Sequence, residues 1–232
     1  MSILLPRYRK GVVVTPGGAS VPYVTIGDGP IARVVIPGAG DGMSLVTDAA
    51  ANLAFHFRKA ARRYRILVLS RRDPIPPGHS LEAHADDLAY AIESLGFGPC
   101  ILECNSAGGP IGQILAATRP ELVSGLVLSV TFHHANPETG AVVSRWLELI
   151  DQGRWSDLLW NTIELTYRPK SLARYRLMKP LLPLLASPAR HAERLGNLLR
   201  ELLDFDHRSY LSAIRCPVDR KSTRLNSSHR IR

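Results

Sequence analysis

Ser106 stands at the centre of Cys104-Asn-Ser-Ala-Gly108, a small-x-Ser-x-Gly pattern that ends one apolar run and opens an amphipathic one. A strand that turns at once into a helix holds its central residue in strained backbone and brings the flanking positions together, so only small side chains fit at 104 and 108. The hydroxyl is then thrust out at the strand's end, beside helix N-terminal amides that favour developing negative charge. Such a group attacks acyl carbons, given a base to take its proton and a carboxylate to orient that base. A second small-residue loop, Pro37-Gly-Ala-Gly-Asp-Gly42, follows another short apolar run.

Other residues with chemical potential have blander readings. His133 and His134 follow the strand expected after the helix at Ser106; they either line the same crevice or pack as a pair. Arg71, Arg72 and Asp73 sit in a charged, proline-rich loop and read as solvated charge, and Asp86, Asp87 and Glu93 fall on the polar side of a helix. Cys100 and Cys104 are four residues apart on one strand, about 13 Å, too far for a disulfide. With Cys216 remote from both, buried reduced thiols are expected. The cysteines have no zinc-type spacing, and neither a metal nor an organic cofactor is expected.

The elements that must position these residues are legible from periodicity. Residues 11–15 and 21–26, separated by Pro16-Gly-Gly, read as a hairpin. Residues 32–36, 64–69, 99–103 and 123–130 read as short apolar strands. Between them, Leu45, Ala49, Leu53 and Phe57 mark one helix, and Leu81, Ala85, Leu88, Ile92 and Leu95 another, capped by Ser80 and stopped at Gly96. Residues 107–118 form a third. Strands alternating with amphipathic helices predict an α/β fold whose mostly parallel sheet is covered on both faces. From 137 to about 213 the pattern is helical only, an insertion over the strand ends where open α/β sheets bind ligands. Its Trp146, Trp155, Trp160, Leu181, Leu182, Leu184 and Leu185 are expected mainly to pack the insertion itself.

The 232 residues are 45% hydrophobic and 21% charged, a globular composition, with no apolar run long enough to span a bilayer and no secretory signal at the N-terminus. A cytoplasmic location is expected. The net charge of +9 does not imply nucleic-acid binding, because residues 219–232 hold +4 of it and the remaining body is only mildly basic. That tail breaks the apolar pattern begun at Ile214-Arg-Cys-Pro-Val218, and residues 219–229 resemble the translation of a common sequencing-library adapter. A non-native tail after about Val218 is therefore expected.

On the pattern around Ser106, on Val35-Ile-Pro-Gly-Ala-Gly40 and on Asp206-His-Arg-Ser-Tyr-Leu-Ser-Ala-Ile-Arg-Cys-Pro-Val218, the chain resembles the alpha/beta hydrolase fold family, in its esterase, lipase and epoxide-hydrolase branch. The resemblance covers most of residues 10–218; Cys104 stands where the family usually has glycine and Pro37 where it often has histidine. It implies Ser106 as nucleophile and an oxyanion hole from the Ala107 amide together with that of Ala39 or Gly40. It also implies residues 1–136 as the first part of the core, 137–213 as a helical cap and 214–218 as the start of the returning strand. The family's acid and histidine follow that strand and the next one. Asp219 and His229 have the right types but lie in the suspected foreign tail, so the chain is expected to lack the pair and the last strands. The implied function is a serine hydrolase of a small ester or related acyl substrate, inactive as this fragment. A non-catalytic small-molecule binder, or carbon–carbon bond hydrolysis or acyl transfer on the same scaffold, remains the alternative.

Overall fold

The computed structural model describes residues 5–167, 169–177, 179–185 and 192–221. Strands β1 (Tyr8–Val14) and β2 (Ser20–Ile26) form the predicted hairpin, with Val14 opposite Ser20 and Gly18 taking the positive φ of the turn. The chain continues through β3 (Ile31–Ile36), α1 (Ala50–Phe57), β4 (Tyr64–Leu69), α2 (Leu81–Ser94), β5 (Cys100–Asn105), α3 (Gly108–Thr118) and β6 (Val123–Ser129). A helical insertion follows, comprising α4 (Pro137–Asp151), α5 (Trp155–Thr166), α6 (Pro169–Arg176), α7 (Leu182–Leu185), α8 (Ala192–Arg200) and α9 (Arg208–Leu211). Strand β7 (Val218–Lys221) then returns to the sheet.

The sheet has seven strands in the order β1-β2-β4-β3-β5-β6-β7. The first two pairings are antiparallel and the other four parallel. Alternating side chains enter different cores: Val34 and Ile36 of β3 pack with Leu67, Leu69 and Leu102 under α2 and α3, whereas Val35 joins Ile66, Val68, Ala54 and Phe57 under α1. Burial on both faces explains the near-continuous apolar strands. From β3 the chain crosses to β4 on one side, while β5 lies on the other. The carboxyl ends of β3 and β5 therefore flank the topological switch point, where such sheets open a crevice.

Periodicity located most elements within a residue or two. Ser80 caps α2 by accepting from the Ala83 amide at 3.2 Å, and Gly96 leaves its end with φ +66°. The helix expected to run from Leu45 begins only at Ala50. Residues 45–49 form turns instead, and the Val46 amide is held by Ser70 Oγ at 3.0 Å. The returning strand occupies Val218–Lys221 and pairs with β6, so Asp219, Arg220 and Lys221 of the suspected tail take strand positions; His229 lies outside the described residues. In the insertion Trp155, Trp160 and Leu182 are buried, Trp146 donates to Asn161 Oδ1 at 2.8 Å, and Leu181 is exposed; the side chains of Leu184 and Leu185 lie outside the described residues. Among the described residues no helix is long and apolar enough to cross a membrane.

Candidate active site

Ser106 occupies the junction between β5 and α3 with φ +47°, the left-handed region that non-glycine residues seldom enter. Val130 at the end of β6 is the other such residue among those described, with φ +53°. The two strained positions support each other. The Ser106 amide donates to Ser129 O at 2.9 Å, and the Thr131 hydroxyl donates to Ser106 O at 2.7 Å, fixing both sides of the bend. The Gly109 amide closes the first turn of α3 onto Ser106 O at 2.9 Å. Strain held in place by neighbouring bonds is the pattern expected where a side chain must be aimed.

Small residues around Ser106 have a steric cause. A Cβ on Gly108 would lie 2.6 Å from Ile36 O and 2.7 Å from Pro37 O, and one on Gly109 would strike the Thr131 side chain. A Cβ on Gly112 would strike Cys104 Sγ, so α3 rests on β5 through this glycine–cysteine contact. Cys104 is completely buried and burial pushes its thiol well above the usual range, which makes it a packing residue rather than a second nucleophile. Gly108→Ala should destabilise the fold by about 1–3 kcal/mol, since the obstructing atoms are backbone and cannot step aside. A urea midpoint shift equivalent to less than about 0.5 kcal/mol would show that the two segments do not approach this closely.

The glycine-rich loop after β3 reaches the same point. A Cβ on Gly38 would lie 3.2 Å from Ser106 Cβ and 3.8 Å from Ser106 Oγ, and the short turn Ala39–Gly42 begins at the next residue. The Ala39 and Gly40 amides thus stand at the start of a helical turn, where intrahelical acceptors are lacking, and Ala107 is the buried N-cap of α3. Sequence reasoning chose these three together with Ser106, and the switch point collects the segments that carry them. The His133 and His134 rings meet at a 57° tilt with centroids 4.5 Å apart, while the backbones of 133–134 and 206–207 pair, so they form a packed pair. Among the described residues no side chain hydrogen-bonds the Ser106 hydroxyl. A cavity of about 630 Å³ between the 74–77 loop and helices α4 and α8 is lined by Pro74, Ile75, Ile150 and Asn197, not by Ser106.

Buried charges brace the glycine-rich loop, and one of them, Arg71, was expected in solvent. Arg71 is fully buried, a correction with a specific cause: its guanidinium donates to Pro37 O at 2.9 Å and Gly38 O at 3.2 Å and pairs with the buried Asp41 carboxylate at 3.3 Å. Arg194 of α8, also buried, reaches Asp41 Oδ2 at 3.0 Å, Arg71 O at 2.7 Å and Asp41 O. Burial pushes the Arg71 guanidinium below its usual pKa, and Asp41 opposes that shift. The sequence signal was faint: an arginine directly after a buried strand, whose partners lie 30 and 123 positions away. The consequence is local. One carboxylate and two guanidiniums lock the loop above Ser106 to both β4 and the helical insertion.

Comparison with known proteins places this geometry. The model of the alpha/beta hydrolase fold family matches residues 34–162, from β3 through the bend at Ser106 and into the insertion. The chain belongs to the alpha/beta hydrolase fold family. Among solved structures it is similar to an alpha/beta hydrolase enzyme from a Medee basin deep-sea metagenome library, with TM-score 0.74, 18% identity and coverage of 90% of this chain and 77% of that one. It is also similar to a hydrolase from Pseudomonas aeruginosa, with TM-score 0.67, 22% identity and coverage of 90% and 78%. A 68-residue segment is 37% identical to the sn-1-specific diacylglycerol lipase ABHD11 of Mus musculus, spanning 28% of this chain and only 22% of that protein. The chain is thus an alpha/beta hydrolase fold protein with hydrolase relatives.

Proposed function

We propose that Ser106 is the nucleophile of a serine hydrolase acting on a small ester or related acyl substrate. The observation that carries this reading is the bend itself: a serine held at φ +47° between β5 and α3, with the Gly38 backbone against its side chain. Ser106 Oγ attacks the carbonyl carbon and gives its proton to a histidine. The resulting oxyanion accepts hydrogen bonds from the Ala107 amide and that of Ala39, or Gly40, each contributing about 3–4 kcal/mol of barrier reduction. The tetrahedral species then expels the alcohol, which takes the proton, and water repeats the sequence on the acyl-enzyme. In this reading residues 1–136 and the segment from 214 that leads into β7 are the core, and 137–213 cap the crevice. The lipase relative supports an acyl substrate.

The histidine and its orienting acid are proposed to come from sequence after β7, as in the family. One observation favours a second reading for residues 1–232 taken alone, a binder with little turnover: no described side chain engages the Ser106 hydroxyl. Hydrolysis of short nitrophenyl esters, compared between the native protein and Ser106→Ala, tests the assignment. Turnover that survives the substitution in a competent enzyme overturns it.

A further inference from the structure

Away from Ser106, three potential metal ligands converge where the loop after β4 meets the first turns of α2. One donor atom each from His79, His84 and Asp87 lies within 4.8 Å of the others. His84 and Asp87 are three residues apart on α2 and share a face. The cap at Ser80 turns the chain so that His79 comes back over that face: its Nε2 is 3.0 Å from Asp87 Oδ2, and its ring meets His84 edge-on with centroids 4.5 Å apart. The His79 and Asp87 side chains are only 11% and 13% exposed, which corrects the expectation that Asp87 belongs to a solvated helix side.

His84 points to a ligand most strongly. It is completely buried, yet neither of its ring nitrogens meets a hydrogen-bond partner among the described residues. An imidazole in that state has given up water for nothing, and a bond to a cation restores what it lost. The charges around it do not forbid one. Arg72 is 3.7 Å from Asp87, Arg71 and Arg194 pair with Asp41, and Arg194 also lies 3.5 Å from Asp73. Apart from the ligand Asp87, the surroundings thus hold three guanidiniums and two carboxylates, a net +1 that the Asp87 carboxylate offsets. The contact between Arg72 and Asp87 is too long to be a hydrogen bond, so the bond that a metal displaces at this carboxylate is the one from His79 Nε2.

We propose that His79, His84 and Asp87 bind one divalent transition-metal ion, zinc by the chemistry of the ligands, which clamps the loop bearing Arg71 and Arg72 onto α2. Two imidazoles and a carboxylate suit zinc and leave a fourth position for water. Ligand atoms in a tetrahedral zinc site stand about 3.4 Å apart, so separations here of up to 4.8 Å contract by as much as about 1.4 Å on binding. The spacing His-x4-His-x2-Asp is the sequence signal, which a search for cysteine patterns passes over. The clamp on the loop is independent of the assignment of Ser106, and its fourth position stays open to water.

The test uses untagged, metal-stripped protein titrated calorimetrically with zinc chloride, and with cobalt(II) followed by visible absorption. One zinc per chain should bind at about micromolar Kd or tighter, cobalt should give the intense bands of four-coordinate geometry, and zinc should raise the thermal midpoint. Asp87→Asn and His79→Ala replace the less buried ligands and should each weaken zinc binding by more than about 100-fold, beyond the loss caused by an outer-shell partner. His84→Ala should do the same, but its burial leaves the decision to the other two. No binding by the native protein up to about 0.1 mM zinc, or unchanged affinity in both Asp87→Asn and His79→Ala, overturns the proposal.

Discussion

Ser106→Ala should lower kcat for a short nitrophenyl ester by about 10⁴- to 10⁶-fold in a gene product that also carries the family's acid and histidine, because the whole covalent route runs through one oxygen. In residues 1–232 the same substitution should change the rate little. On the proposal that residues 1–232 do not supply the base, the hydroxyl keeps its proton at neutral pH, and what remains is at most the residual acceleration of amides and binding, about 10³- to 10⁴-fold over water. Steady-state assays of both proteins, each with and without the substitution, separate the two statements. Undiminished turnover in the longer protein would remove Ser106 from the chemistry. Strong Ser106-dependent turnover by residues 1–232 would place the missing base within this chain.

Asp41→Asn is expected to have the largest effect on stability. Its carboxylate is fully buried between the Arg71 and Arg194 guanidiniums, and the amide keeps the volume while removing a carboxylate hydrogen-bonded to both. Removing one partner of a buried ion pair costs about 3–5 kcal/mol, a large share of the 5–15 kcal/mol that typically holds a domain together, and Arg71 bears most of it because Arg194 keeps Asp73 at 3.5 Å. The loss should be smaller when Arg194→Met is added, since one of the orphaned cations is then gone and the two sites are coupled. Urea unfolding of the two single variants and the double variant measures this directly. A loss below about 1 kcal/mol for Asp41→Asn would mean that water solvates the carboxylate and that the loop over Ser106 is braced by something else.

These two experiments probe what was differently visible in the sequence. The bend at Ser106 was legible because its requirements are local: small residues at 104 and 108, an apolar strand before and a helix after. Strand and helix bounds were legible for the same reason, since burial on both faces writes near-continuous apolar runs into β3 and β4. Arg71 was not legible, because nothing near it in sequence announces that Asp41 and Arg194 will meet it in the core. The same holds for His79, whose partners become apparent only once Ser80 caps α2 and folds the loop back. Residues 45–49 carried helical spacing but turned, held there by a hydroxyl from the end of β4. Local chemistry is readable in one dimension, whereas charge pairs closed across the sheet are not.

The central claim, a side chain projected at the β5–α3 bend into a field of amides, is tested most directly with Ser106→Cys and iodoacetamide, followed by intact mass. The native thiols provide a quiet background: burial pushes Cys100 up to about 12, raises Cys104 well above the usual range and raises Cys216. Each is therefore protonated and slow near neutral pH. A thiol at a helix N-terminus has its pKa lowered into the range of about 3.5–7.5, so its thiolate forms at lower pH than that of a free cysteine near 8.5. The account predicts one additional, rapidly alkylated site in the Ser106→Cys protein, with a half-maximal rate below about pH 7.5. No additional label in the folded protein, or a rate that rises only near the pKa of free cysteine, would contradict it.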